Sequence, residues 1–295
     1  MKFWQAYTFL FSGFISNFFA YSTNDTLQIK YLADSLFDKK NYYQAAIYYQ
    51  KLDYFLISEK AKNDAKLSVA NCYKLSREYN LGINQLGSIN LENASDSLIY
   101  NVKYQCALMS YLNNDLVQAE AFLQQLDYLV KDSSYTTKSL LLYALTLNEQ
   151  YKWLQAKEKL TKLNISSFYK DLPRLGKNER IMDSLYSLQT LPKLKNVKKA
   201  IKLSSLLPGL GQCYTTNYAE GIGSFLATVT SIGIMVTGIV YQYYFTGIVT
   251  GNLLVGKFYL GGIKRSEFLA NRYNYRISKV FNNKLKEQIN QLFLK

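Results

Sequence analysis

The chain has no histidine among its 295 residues, and it has only three cysteines and three prolines. Histidine is the commonest metal ligand and a frequent general base in proteins. The cysteines, Cys72, Cys106 and Cys213, lack a metal-ligand spacing. The sequence also has no G-x-S-x-G motif, no phosphate-binding glycine loop and no paired carboxylates in its apolar part. We therefore expect a protein that is not an enzyme, with no catalytic residue, no metal and no cofactor.

Two of the cysteines leave two interpretations open. Cys72 and Cys106 fall in neighbouring predicted helices, so a disulfide between them fits a segment that lies outside the cytoplasm. Buried free thiols are the favoured interpretation, because free cysteine is among the most buried residue types.

Charge is missing from one long stretch, Gly221–Gly256, in a chain that is 19% charged. One bilayer crossing needs about 20 apolar residues, so this length predicts two crossings, at about Ala219–Tyr241 and Gln242–Ile263. Eleven of the fifteen glycines lie between Gly209 and Gly262. Glycine destabilises a helix in water but lets membrane helices pack closely. The sequence therefore predicts a glycine-rich transmembrane helical hairpin.

One basic residue, Lys257, falls inside the second predicted crossing. An ionisable residue within a membrane helix is a candidate functional group. The favoured interpretation is that Lys257, about two turns before the end of the crossing, extends its ammonium group to the lipid headgroups.

Positive charge is concentrated on both sides of the apolar stretch. Residues from Lys193 onward hold fourteen Lys and Arg against three Glu, which gives +11 of the net +14. This arrangement favours membrane lipid over nucleic acid as the partner, and no small-molecule substrate is evident. The first basic cluster comprises Lys193, Lys195, Lys198, Lys199 and Lys202. Apolar residues at helical spacing among them predict a basic amphipathic helix on the headgroups. A solvated face of a connecting helix is the alternative.

The N-terminal residues 1–22 have the pattern of an export signal. Lys2 precedes an aromatic-rich apolar run from Phe3 to Ala20, and the first acid is Asp25. A short basic start, an apolar middle and a small residue at the end are typical of a secretory signal peptide. Phe18 fits the cleavage pattern poorly, so an uncleaved signal anchor is the alternative.

Residues 23–165 contain four copies of a pattern with a period of 37 residues. Small and large apolar residues alternate at helical spacings within each copy. The five columns are Ala33, Ala70, Ala107 and Ala144; Tyr42, Tyr79, Leu116 and Trp153; Ala45, Gly82, Ala119 and Ala156; Tyr49, Leu86, Leu123 and Leu160; and Leu52, Ile89, Leu126 and Leu163. The pattern predicts pairs of antiparallel helices, and hence an all-α chain.

These columns resemble the tetratricopeptide repeat (TPR), whose usual length is 34 residues. The resemblance implies a helical-hairpin solenoid that binds a partner protein in a concave groove lined by the first helix of each pair. By register, the groove residues are Asp34, Phe37, Asn71, Lys74, Leu108, Tyr111, Leu145 and Asn148. The alternative is that they form only the less buried face of a scaffold. Gly82 and Ser110 depart from the pattern at helix positions.

A second motif surrounds the apolar stretch. Its first part runs P-G-L-G-Q-C-Y, and its later parts are Y-L-G and A-N-R-Y-N. The matching residues are Pro208, Gly209, Gly211, Gln212, Tyr214, Tyr259, Gly261, Tyr273 and Asn274. This order resembles a C-terminal glycine-rich membrane domain of bacterial TPR proteins, and the resemblance implies a link to membrane-protein insertion. A glycine usually follows the first tyrosine in that family, whereas Thr215-Thr216-Asn217 stands here.

The predicted organisation is thus a signal peptide or anchor at 1–22, four TPR-like repeats at 23–165, a linker at 166–192, a membrane domain with about two transmembrane helices at 193–280 and a basic tail at 281–295. The predicted function is a membrane-anchored scaffold that recruits partner proteins in the bacterial cell envelope. The alternative is an accessory factor for membrane-protein insertion or transport.

The predicted location is the inner membrane, with the repeats in the periplasm. The positive-inside rule places the basic residues on both sides of a membrane hairpin in the cytoplasm. Export of the repeats at 23–165 places the same basic residues outside the cytoplasm, so the topology stays open.

Overall fold

The computed structural model describes residues 25–165 and 175–293. Every regular element in these ranges is a helix and none is a strand, which confirms the all-α prediction. The predicted signal at 1–22, residues 166–174 of the predicted linker and the last two residues of the predicted tail lie outside the described residues. The chain divides into two compact units, Met1–Glu179 and Arg180–Lys295, and each is described by itself.

The first unit contains eight consecutive helices among its described residues. They are α1 at 25–38, α2 at Tyr42–Phe55, α3 at Glu59–Leu75, α4 at Tyr79–Gly87, α5 at Asp96–Leu112, α6 at Leu116–Leu129, α7 at Ser133–Glu149 and α8 at Trp153–Ile165. From α2 onward, each helix packs against the next one along the chain. A ninth helix, α9 at Leu175–Leu185, contains the boundary between the units.

Four turns in this unit share one backbone conformation. Each has a left-handed residue, and these residues are Lys40, Arg77, Asn114 and Tyr151, with φ of 61°, 66°, 62° and 64°. In each turn the next residue donates its N–H to the carbonyl five positions back, as Asn41 does to Leu36 at 2.9 Å. This pattern is the Schellman motif, which ends a helix and satisfies its last carbonyls. The turns follow α1, α3, α5 and α7 at intervals of 37 residues.

Small residues lie where these helices cross. The alanines at 33, 70, 107 and 144 are at most 2% exposed, and those at 45, 119 and 156 are fully buried. The departure at Gly82 has a steric reason, because a Cβ there would stand 2.5 Å from the sulfur of Met109. The departure at Ser110 is also accommodated, since its hydroxyl donates to Gln118 Oε1 at 3.1 Å.

Several helices begin at a residue whose side chain caps the first turn. Ser95 accepts from the N–H of Leu98, and Asp115 accepts from that of Gln118. Asp132 accepts from Ser134 N–H at 2.8 Å, and this bond lowers the pKa of the Asp132 carboxyl. Such caps satisfy backbone donors that have no partner within the helix.

The second unit is built around two long antiparallel helices. Its elements are the end of α9, then α10 at Val197–Leu206, α11 at Leu210–Tyr214, α12 at Tyr218–Val240 and α13 at Tyr244–Phe293. Among the described residues, α12 alone is long and apolar enough to cross a membrane. Its 23 residues extend about 34 Å, which exceeds the hydrocarbon thickness of about 30 Å.

The predicted second crossing is the first part of a longer element. The helix α13 has 50 residues and continues past Ile263 to Phe293. Its first part is less apolar than a helix that crosses a membrane usually is, because Asn252 and Lys257 interrupt the apolar residues. A second crossing by α13 therefore remains a prediction.

Candidate functional site

Two recesses in the first unit are lined by residues that lie 37 positions apart. The first has a volume of about 270 Å³ and the second about 200 Å³. The corresponding lining residues are Lys30 and Leu67, Asp34 and Asn71, Tyr49 and Leu86, Asp64 and Asn101, and Ser68 and Gln105. The same position of two successive helix pairs thus forms a recess with different chemistry in each copy.

The first recess is charged. It is lined by Lys30, Asp34 and Asp64, all exposed. The hydroxyl of Tyr49 donates to Asp34 Oδ1 at 2.5 Å. Burial, followed by this bond, raises the pKa of Tyr49, so the phenol stays protonated and orients the Asp34 carboxylate. The recess thus has two carboxylates and one ammonium group in its lining, and the excess of negative charge suits a cation.

The second recess is lined by amides. Asn71, Asn101 and Gln105 all contribute to it, and an amide side chain both donates and accepts hydrogen bonds. The ammonium group of Lys74 donates to Gln105 Oε1 at 3.0 Å. Burial lowers the pKa of Lys74. This chemistry suits a polypeptide backbone, which offers the same two kinds of group.

The structure distributes the eight predicted groove residues over different environments. Asp34 and Asn71 line the recesses, and Lys74 contacts the second recess through Gln105. Phe37 instead packs on Tyr42, with ring centroids 5.5 Å apart, and adjoins the core. The remaining four do not line either recess: Leu108, Tyr111 and Leu145 are half-buried, and Asn148 is only 2% exposed.

In the next copy of the repeat, an aromatic cluster stands at a position equivalent to those that line the two recesses. Tyr104, which lies 37 residues after Leu67, stacks on Tyr100 at 5.3 Å, and Tyr100 contacts Tyr135 at 5.2 Å. Burial raises the pKa of Tyr100 to about 12. The sequence prediction missed Asp64, Asn101 and Gln105, because it considered only one turn of each first helix. The 37-residue offset between Asp64 and Asn101 was the available signal.

In the second unit, Gly211 and Gln212 of the glycine-rich motif belong to one hydrogen-bonded network. Gln212, 1% exposed, accepts from Ser204 Oγ at 3.0 Å and donates to the carbonyl of Gly262 at 3.0 Å. Ser204 Oγ also accepts from the N–H of Gly211 at 3.1 Å. One buried amide therefore joins α10, α11 and α13.

Two glycines of the motif are required by close approach. Gly209 has φ +93°, and a Cβ there would stand 2.1 Å from the carbonyl oxygen of Gly221. A Cβ on Gly211 would stand 2.2 Å from the carbonyl oxygen of Ala200. Gly261 is different, since nothing lies within 4 Å of its Cβ position. The half-buried Pro208 directly precedes the left-handed Gly209.

The tyrosines and the asparagine of the motif hold the segment before α10. Asn274 Oδ1 accepts from Lys195 N–H at 2.7 Å, and its Nδ2 donates to the Lys195 carbonyl at 2.8 Å. The hydroxyl of Tyr214 accepts from the N–H of Asn196 at 3.2 Å. Lys195 Nζ lies 4.8 Å from the Tyr214 ring centroid and 5.5 Å from that of Tyr273. Residues 79 positions apart are thus joined directly.

Tyr259 connects α13 to the end of α10. Its hydroxyl donates to the carbonyl of Ser205 at 2.7 Å. The helix α10 buries Ala200 and Ser204, and Ser266 on α13 donates to the Ala200 carbonyl at 3.3 Å. The predicted basic helix is therefore packed on α13 by one face, while Lys198 and Lys202 on it are exposed.

Close contacts between α12 and α13 fix their register. A Cβ on Gly238 would stand 2.6 Å from Gly247 Cα, and one on Gly251 would stand 2.4 Å from Met235 Cβ. Near the other end, one on Gly262 would stand 2.7 Å from Ser224 Oγ.

This register places Lys257 level with Val229, six residues before Met235. That level is halfway along α12, about 16 Å from each end at 1.5 Å per residue. Lys257 is exposed and lies six residues before Ile263, where the second predicted crossing ends, so the extension of its ammonium group to the headgroups stays a prediction.

One exposed ion pair marks the beginning of α12. Arg265 donates to both carboxylate oxygens of Glu220, from Nε at 2.7 Å and from Nη2 at 2.9 Å. Between this pair and the turn at 241–243, α12 exposes apolar side chains. They include Ile222, Leu226, Val229, Ile232 and Val240, all at least 44% exposed.

Compared with protein-family models, with curated proteins and with solved structures, the chain matches none.

Proposed function

We propose that this protein is a membrane-anchored scaffold of the bacterial cell envelope. A TPR-like helical-hairpin arm recruits a partner protein, and a glycine-rich transmembrane hairpin holds the arm at the inner membrane. The arm lies on the periplasmic side, as the apolar N-terminal segment indicates. The same proposal implies no catalytic step, because the groups at both sites are suited to binding.

The TPR-like assignment is supported by the repetition within the first unit. The four Schellman turns recur every 37 residues, and the small residues at the helix crossings are buried in every copy. A repeat array of this kind buries its core only by stacking neighbouring units. It leaves a surface on which the same position is presented several times.

The repeated recess is the observation that carries the scaffold proposal. Asn71, Asn101 and Gln105 offer donors and acceptors to a peptide backbone, and Asp34 with Asp64 offers negative charge. An extended partner segment that spans both recesses is held by its backbone at the amides. It presents a Lys or Arg side chain, or an amino terminus, to the aspartates.

The membrane anchor is supported by the surface of α12. Only 11% of the most apolar 18 residues of α12 are buried, so lipid is the medium that suits their exposed side chains. The turn that follows contains Tyr241 and Tyr243, and Tyr244 begins α13. Tyrosine is enriched at membrane interfaces. Glycines allow α13 to lie against α12, which supports a second crossing.

Site-specific photocrosslinking in native membranes tests the recruitment. A photoreactive residue at position 71 or 101 is expected to capture one partner protein, and the Asn71→Ala/Asn101→Ala/Gln105→Ala protein is expected to lose that partner. The matched control is Asn80→Ala/Asn113→Ala, which removes an exposed amide pair that lines neither recess. Recovery of the same partner from a protein without residues 25–165 would contradict the proposal.

The alternative function, assistance to membrane-protein insertion or transport, has one observation in its favour. A cavity of about 420 Å³ near the turn of the hairpin is lined by Thr237, Thr246 and Thr250 among others. However, the hydroxyls of Thr237 and Thr250 donate to carbonyls of their own helices, which leaves little polarity for a substrate. The Pro208→Ala/Gly209→Ala/Gly211→Ala protein tests this function. The alternative function predicts that this protein loses insertion activity but still captures the partner protein.

A further inference from the structure

We infer that a recess between the α11–α12 turn and α13 is a binding site for a phosphate group, supplied by an anionic lipid headgroup. The recess has a volume of about 130 Å³ and is lined by Thr215, Thr216, Asn217, Arg272, Tyr273 and Arg276 among others. The site belongs to neither the repeat groove nor the network around Gln212.

The two arginines provide the charge of the site. Arg272 and Arg276 lie one turn apart on α13 and line the same recess, so their side chains share one face of the helix. Within residues 25–165 and 175–293, neither guanidinium group forms a salt bridge. The nearby acid, Glu220, uses both carboxylate oxygens on Arg265 and interacts with Arg272 only through the longer-range attraction of their charges. Two unpaired guanidinium groups at one recess match the bidentate geometry of a phosphate.

The opposite wall offers backbone donors, because its side-chain donors are already used: the hydroxyl of Thr216 donates to the Thr215 carbonyl at 2.6 Å, and that of Thr215 donates to the Gln212 carbonyl at 2.8 Å. Thr216 is exposed and in the left-handed conformation, with φ 68°. Asn217 precedes the first residue of α12 but makes no side-chain cap to it, because its Nδ2 donates to the carbonyl and the hydroxyl of Thr215. The first N–H groups of a 23-residue helix are thus left uncapped beside the arginines, and a helix start favours an anion.

The depth of the recess indicates a lipid as the source of the phosphate, and this step rests on the proposed membrane crossing. Because Ser224 is level with Gly262, Tyr218 at the start of α12 is level with Phe268. Arg272 and Arg276 lie four and eight residues farther along α13, about 6 and 12 Å beyond that level. The headgroup layer extends about 5–7 Å from the hydrocarbon on each side. Arg272 is therefore within the headgroup layer, whereas the backbone of Arg276 lies about 5–7 Å beyond it and its side chain lines the same recess as Arg272.

Calorimetric titration of the purified full-length protein in a neutral detergent tests the site. The ligands are dihexanoyl phosphatidic acid, dihexanoyl phosphatidylcholine and glycerol 3-phosphate. Arg272→Gln/Arg276→Gln is expected to weaken binding of the phosphatidic acid at least tenfold, which corresponds to the loss of one or more charge-assisted hydrogen bonds. Arg272→Lys/Arg276→Lys keeps the charge but not the planar guanidinium fork, and we expect it to bind the phosphatidic acid several-fold more weakly than the unchanged protein.

The control Lys198→Gln/Lys202→Gln also removes two positive charges, but from exposed positions on α10. We expect it to change the affinity for the phosphatidic acid less than threefold. Equal losses of affinity in Arg272→Gln/Arg276→Gln and in Lys198→Gln/Lys202→Gln would overturn the site. They would show only a general attraction between a basic protein and an anionic lipid. Equal affinity for glycerol 3-phosphate and phosphatidic acid would overturn the lipid assignment. Since the titration needs no bilayer, failure of the site is distinguishable from failure of the membrane crossing, which alkaline extraction of membranes reports separately.

Discussion

Asn274 holds the backbone of Lys195 with both ends of its side-chain amide, at 2.7 and 2.8 Å. The contact joins α13 to the segment that precedes α10, and Tyr214 holds the next residue, Asn196, from α11. Motif positions that are far apart in the sequence thus have a common structural role, which is to fix the start of α10 against α13.

Replacing Asn274 by alanine is expected to destabilise the second unit by about 2 kcal/mol, because two partly buried backbone groups lose their partner. Thermal unfolding of the full-length protein in detergent measures the loss. The control is Asn271→Ala, an exposed position on the same helix, for which we expect little change. Equal melting temperatures for the two variants would show that the amide bonds do not stabilise the unit.

Replacing Thr216 by glycine is expected to stabilise the second unit by about 1 kcal/mol. Thr216 is β-branched and has φ 68°, a conformation that costs an L-residue about 1–2 kcal/mol. Part of that gain is offset, because glycine has more freedom in the unfolded chain. The same melting measurement is the check, and a lower melting temperature for Thr216→Gly would contradict the assigned turn.

Replacing Gly211 by alanine is expected to destabilise the second unit by about 3 kcal/mol. The added Cβ would stand 2.2 Å from a backbone oxygen of α10 and 2.4 Å from Ser204 Oγ, so the helices must separate. Gly261→Ala is the matched control, since its Cβ meets nothing within 4 Å and alanine favours a helix. If Gly261→Ala were the more damaging change, the packing described here would be wrong.

The two buried cysteines are expected to be unreactive in the folded protein. Cys72 and Cys106 are free and buried, and burial raises the pKa of their thiols to about 11 and about 12. Because only the thiolate attacks an alkylating reagent, labelling at pH 8 is expected at the half-buried Cys213 first, and at the other two only after unfolding. Immediate labelling of all three would contradict this burial.

These thiols also give the first unit a pH dependence. A folded pKa above the unfolded value favours folding at low pH, so this contribution is fully present below about pH 9. It is lost as pH rises through about 11 for Cys72. Denaturant unfolding at pH 8 and pH 11 measures the loss, and Cys72→Ala is expected to reduce it. A loss that is unchanged in Cys72→Ala would assign the pH dependence to other groups.

Lys257 is expected to limit how readily α13 enters a bilayer. It is level with the middle of α12, where lysine costs about 2.5–3.5 kcal/mol of insertion free energy. Lys257→Leu is therefore expected to increase the fraction of chains in which α13 crosses the membrane. In those chains the segment after Ile263 lies on the same side of the membrane as Tyr218, and protease protection measures their fraction. Lys264→Leu, near the end of the predicted crossing, is expected to change it little. An equal effect of both variants would place Lys257 near an interface.

The sequence predicted the helical class and the buried columns because spacing along a helix is set by local geometry. It did not predict the length of α13. A hydropathy pattern shows where lipid-compatible residues end, at about Ile263, but a helix continues as long as its residues permit. The chain from Ile263 to Phe293 has neither proline nor glycine. The motif includes Gly261, whereas the neighbouring Gly262 is the glycine that contacts Gln212 and Ser224.

The recesses were harder to predict from the sequence than the core. Asp64 and Asn101 lie on α3 and α5 but line cavities with residues of the preceding helix pair. Periodicity identifies equivalent positions within a pair. It does not show which of them face the neighbouring pair, because that depends on how successive pairs stack.

The side of the membrane on which each end of α12 lies is the most direct test of the account. In a Cys213→Ser protein, single cysteines at positions 242 and 271 are treated with a membrane-impermeant maleimide in intact, oriented vesicles. We expect the reagent to reach one position from outside and the other only after the vesicles are opened. Labelling of both from the same side, with release of the protein by alkaline washing, would contradict a chain anchored through α12.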